Sequence, residues 1–101
     1  MSRVANTAET IRAKRDANES KYWSSFIDNL VTFSINRAEK AAEKRKTGAY
    51  VDPDLVQPCP DPSNPEAQRW KYCVREARQR LSANEGFRVT NEGPRGFHLE
   101  F

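Results

Sequence analysis

The sequence predicts an α+β fold in a single domain, residues 1–101, and three observations point to it. Residues 2–47 contain neither glycine nor proline. Five of the six prolines fall between positions 53 and 65. Residues 86–101 alternate apolar and polar side chains on either side of a glycine-containing turn. Uninterrupted stretches favour helix, clustered prolines exclude it, and a period of two marks half-buried strands. The expected order is therefore a long N-terminal helix (or helix pair), a Pro-rich linker, an amphipathic helix and a C-terminal β-hairpin, with helices and strands segregated as in α+β folds.

The first helix is expected over residues 6–47. Asn6 stands where it can cap the helix, with Glu9 three residues on as its reciprocal partner. Trp23, Ile27, Val31, Ile35, Ala38 and Ala42 repeat at three- and four-residue spacing, and Tyr22, Phe26, Leu30 and Phe33 form an adjacent stripe. Together they make a face wider than an ordinary amphipathic helix needs. Beyond them the pattern fades: Ile11 is the one large apolar residue in 7–21, and residues 36–47 offer alanines alone. Both ends are expected to leave the core. A break at residues 18–20, where Asn18 and Ser20 are capping residues, is the alternative to one rod of roughly 60 Å. Gly48 reads as the left-handed stop after Lys44-Arg45-Lys46, whose cations suit the negative end of the helix dipole.

Residues 49–65 read as the linker, with Tyr50-Val51 a short edge strand and Leu55-Val56 a pin onto the core. The second helix is expected over 65–83. Ser63 or Asn64 caps it, Pro65 takes the first position and Glu66 sits in the first turn. Ala67, Trp70, Val74, Ala77 and Leu81 keep strict helical spacing, with Cys73 beside them, and Asn84-Glu85-Gly86 ends the helix. In the hairpin, 86–101, Phe87 and Val89 alternate with Arg88 and Thr90. Phe97, Leu99 and Phe101, expected on the packed face, alternate with His98 and Glu100.

Composition narrows the function classes. Charged residues reach 31% against 37% hydrophobic, so the core of so short a chain must be compact. Nothing approaches the roughly 20 apolar residues that cross a bilayer, so no membrane partner is expected. The N-terminus leads into charge and not into a signal-like apolar stretch, and Cys59 and Cys73 are expected to stay reduced, so an intracellular setting is expected; a Cys59–Cys73 disulfide is the alternative. His98, the sole histidine, falls on the polar face of its strand. Catalysis needs a base, a nucleophile and an orienting group together, and no such set is visible. Asp52, Asp54 and Asp61 read as solvated loop carboxylates. No enzyme activity, catalytic residue, metal, cofactor or small-molecule substrate is expected.

Two binding readings remain. The leading one is a non-enzymatic interaction or structural subunit that docks a protein partner or a second copy through Tyr22, Trp23, Phe26, Ile27, Leu30 and Phe33, because large exposed apolar patches mark interfaces. The rival is a winged-helix-like DNA-binding regulator. Lys71, Arg75 and Arg78 form one stripe on the second helix, Arg95 sits in the hairpin turn, and Arg69 and Arg80 lie off the stripe. A solvated helix face explains the same residues. The absence of a tight turn of about 3–4 residues before this helix weighs against the DNA reading. A second cluster, Arg37, Lys40, Lys44, Arg45 and Lys46, is diluted by Glu39 and Glu43 and reads as a solvated helix end.

The segments Arg78-Gln79-Arg80-Leu81, Gly86-Phe87-Arg88-Val89 and Gly96-Phe97-His98-Leu99-Glu100-Phe101, together with the order of elements, resemble small accessory or structural proteins of tailed phages and other large DNA viruses. The resemblance covers the last third of the chain and, elsewhere, only its layout. It implies a virion or host-interaction protein and assigns no residue a role.

Overall fold

The computed structural model describes residues 7–91 and 96–101. Helix α1 runs unbroken from Thr7 to Glu43, strand β1 spans Gly48–Val51, helix α2 spans Glu66–Ala83, and strands β2 (Arg88–Asn91) and β3 (Phe97–Glu100) follow. The three strands form an antiparallel sheet in the order β1-β3-β2. This is the α+β arrangement the patterning predicts, with the hairpin extended by a third strand drawn from the proline-rich segment.

There is no break at residues 18–20, and the capping role read for Asn6 lies outside the described residues. Burial in α1 is confined to Trp23, Phe26, Ile27, Leu30, Ser34, Ala38 and Ala41, a single stripe at helical spacing. Ser34 enters it because its hydroxyl donates to the Leu30 carbonyl at 2.7 Å, which satisfies the group inside the helix. Residues 7–22 are exposed on every side, so α1 extends past the core as an arm. The arm accounts for much of the 68 Å length of a molecule 29 by 18 Å in its other dimensions.

The left-handed stop falls at Arg45, three residues before Gly48, and the helix ends at Glu43 and not at residue 47. Arg45 adopts the left-handed conformation, φ 62°, and its N–H bonds to Ala42 O while that of Lys46 bonds to Ala41 O, both at 2.9 Å. These are the paired bonds of a Schellman stop. Gly48 instead opens β1, where a Cβ would collide with the His98 ring from β3. At the other helix the expected start is present. The Asn64 side chain accepts from Glu66 N–H at 2.9 Å, and Pro65, at φ −55° and ψ −26°, is already helical. Gly86, φ 75°, releases the chain from α2 into β2.

The linker is built of turns. Asp52 accepts from Asp54 N–H, Asp54 from Cys59 N–H, and Asp61 from the N–H and hydroxyl of Ser63. The two Ser63 bonds hold the Asp61 carboxyl below its usual range. Pro53–Leu55 make one 3₁₀ turn, and the indole of Trp70 donates to Gln57 O at 2.8 Å, fastening the linker to α2. Trp70 in turn stacks on Phe26 of α1, ring centroids 6.1 Å apart. Phe97 and Leu99 of β3 and Val51 of β1 are fully buried beneath the helices. Phe101, expected with Phe97 and Leu99, is 47% exposed. The strand ends at Glu100, so Phe101 leaves the pleat; its N–H donates to Thr47 O and its ring meets Phe87 edge-on.

Two stability changes follow. Leu99→Ala should cost about 2–5 kcal/mol, as a fully buried leucine does, and Phe101→Ala under about 1.5 kcal/mol, since half its surface is wet. Equal losses in urea unfolding would contradict the assignment of Phe101. Arg45→Gly should exceed Arg45→Ala in stability by about 1 kcal/mol, because both lose the cation and only glycine is relieved of the left-handed strain.

Candidate nucleic-acid interface

Helix periodicity sorts the cations of α2 into two groups. Arg69 and Arg80, together with Glu76, recur on the side turned to α1. There Arg80 bonds Asp28 at 2.8 Å and Arg69 pairs with Glu19 at 3.8 Å. These arginines are stitches between the helices, modest in energy because both pairs are substantially exposed. Lys71, Arg75 and Arg78 stand away from that side with Gln68, Gln79 and Ser82, a face without a carboxylate. None of the three forms an ion pair with a described residue.

The same three cations border two adjoining hollows. One, of about 460 Å³, is closed by Gln79, Ser82 and Val89 of β2. The other, of about 290 Å³, is floored by Trp70, Val74 and Cys59. Arg78 is half-buried, and its Nε is sealed from solvent with no hydrogen-bond acceptor among the described residues. Lys71 and Arg75 are exposed. Spacings of four and three residues place the cations along roughly 10 Å of helix, a ribbon of positive charge beside the start of the hairpin. Arg95, expected to extend that charge, lies outside the described residues.

The apolar candidates fall elsewhere. Trp23, Phe26, Ile27 and Leu30 are buried in the chain's own core, and Phe33 is partly buried against it. Tyr22 alone is widely open, at 51%. The six therefore do not form a continuous exposed face, because α2 and the sheet cover the stripe. Of the second cluster, Arg37, Lys40, Lys44 and Lys46 line a separate groove beside β1. Their helical spacing was visible in the sequence; their union with the strand was not.

Cys59 and Cys73 are free thiols. His98 is half-buried, with its ring beside Gly48. No group of three or more metal-ligating side chains occurs among the described residues, and no helix is long and apolar enough to cross a membrane. The chain matches no family model, no curated protein and no solved structure.

Burial pushes the Cys73 thiol above its ordinary value of 9.0. The unfolded thiol therefore ionises first, and its contribution to stability, complete below that pH, is lost as pH rises past it. Alkylation of the native protein should label Cys59 and spare Cys73, which is 1% exposed and reacts only on opening of the core. Equal labelling rates, read by mass spectrometry, would contradict this placement.

Proposed function

We propose that this chain is a non-enzymatic binding protein whose ligand is a DNA backbone, engaged by the exposed face of α2. The observation that carries the reading is the division of cations on that helix. Arg69 and Arg80 are held by carboxylates of α1, whereas Lys71, Arg75 and Arg78 share a carboxylate-free face and border adjoining hollows. A helix face needed only for solubility carries mixed charge at no disadvantage; a face with one sign alone repels itself unless an anion comes to it.

The helix dimensions agree with the ligand. An α-helix fits the major groove of B-DNA, and phosphates on the groove walls offer oxygens to lysine and arginine. A helix laid beside a hairpin is also how winged-helix proteins hold a duplex, and here α2 leads into β2 within a few residues. The tight helix-turn-helix joint is absent, since residues 44–65 separate the two helices. Gln68, Gln79 and Ser82 supply groups able to meet base edges, while the cations set register and affinity.

The affinity of such a face is dominated by counterion release. Binding to a short duplex should weaken with salt at a logarithmic slope of about −0.9 per neutralised phosphate, hence near −3 for three cations. Lys71→Glu with Arg75→Glu, both at exposed positions, should weaken binding at least tenfold and leave the melting temperature within a few degrees. Fluorescence anisotropy in which the double reversal changes neither the affinity nor the salt slope would mean the stripe is a solvated face.

A further inference from the structure

The grooves beside β1 and β2 lie at opposite edges of the sheet. β3 separates the two strands, and each groove includes residues of its own outer strand. The groove at the β1 edge holds about 310 Å³ and brings Arg37 and Lys40 of α1 together with Lys44 and Lys46, just past its end, and with Gly48, Ala49 and Tyr50 of β1. Arg37 and Lys40, three residues apart, share one face of α1. None of the four cations forms an ion pair with a described residue, Glu39 and Glu43 included. Arg37 is anchored by a bond of 3.3 Å to Tyr50 O, which fixes one guanidinium at the rim. The C-terminal end of α1 carries roughly half a negative charge, which four cations exceed several-fold. That dipole is enough to explain one or two of them.

We infer that this second groove binds a second duplex, so that one protein molecule bridges two DNA segments. The inference rests on the proposed DNA-binding role of α2. Charge complementarity and the placement of the two grooves both favour it. A duplex seated on α2 occupies the β2 side of the molecule. To reach Lys40 and Lys44 the same duplex has to bend round to the far edge of the sheet, which costs elastic energy. A second segment reaches them without deformation, and the phosphate chemistry of the two grooves is alike.

The test uses the full chain, one duplex attached to beads and the same duplex, labelled, free in solution. Wild-type protein should carry labelled DNA onto the beads. Lys40→Glu with Lys44→Glu should reduce that recovery at least tenfold while leaving affinity for a single duplex within about threefold. Lys40→Gln with Lys44→Gln, which adds no charge at the helix terminus, should show an intermediate loss and guards against an effect on folding. Recovery unchanged in these variants overturns the inference, whether the DNA is joined by a dimer or by α2 alone. Wild-type binding to a single duplex without any recovery overturns bridging and leaves the α2 reading standing. No binding to a single duplex overturns both.

Discussion

The buried face of β3 is the constraint on which both parts of the molecule close. Phe97 and Leu99 are fully buried, and each main-chain edge of the strand is occupied, β1 on one side and β2 on the other. α1 leads directly into β1 and packs on it, while α2 leads into β2 and packs on that. Each helix–strand pair is local in sequence. β3 and the contact between α1 and α2 unite them, the latter including Phe26 stacked on Trp70. Since β1 pairs with residues near the other end of the sequence, its half of the sheet closes a long loop, the kind of contact that slows folding. The outer edge of β1 is left short and partly occupied, with Arg37 on the Tyr50 carbonyl, which limits its use as a template for other strands.

Signals carried within one turn of chain were readable from the sequence, and those created by distant pairing were not. Asn64-Pro65 fixed the start of α2, and the spacing from Ala67 to Leu81 fixed its buried face, because capping and helical period are local properties. The apolar stripes of α1 were equally visible, yet their destination was not. Their width suggests an external partner until β1 and β3 are added to α2 as cover. The stop at Arg45 also escaped notice, since a left-handed arginine is expensive and a nearby glycine is the usual choice. Gly48 was already committed to the close approach of His98, a contact between residues fifty positions apart.

The charged residues divide in the same way. The sequence shows a stripe at 71, 75 and 78 and two arginines off it, but not that Asp28 and Glu19 wait across the helix interface for those two. That knowledge changes the weight of the stripe. With Arg69 and Arg80 assigned to α1, and Arg88 set near Glu100 at 3.6 Å, the cations left without an ion pair among the described residues beyond the N-terminal arm fall mostly at the two edges of the sheet. A net charge of +3 understates this, because it averages these clusters with carboxylates that lie elsewhere, such as Asp52, Asp54 and Asp61 of the linker.

Arg78 is the cation of this face that the core itself holds. Its side chain borders the hollow floored by Trp70 and Val74, and its Nε is closed off without an acceptor among the described residues. An unsatisfied buried donor costs about 1–3 kcal/mol, a burden that Lys71 and Arg75, in full solvent, do not carry. The same packing restricts the guanidinium, so less side-chain freedom remains to be lost when an anion arrives. Of the three cations, Arg78 is therefore the one positioned by the core, and the other two adapt around it. Such a division suits the proposed DNA-backbone ligand, in which one fixed point would set the register and exposed neighbours would follow the phosphates on either side.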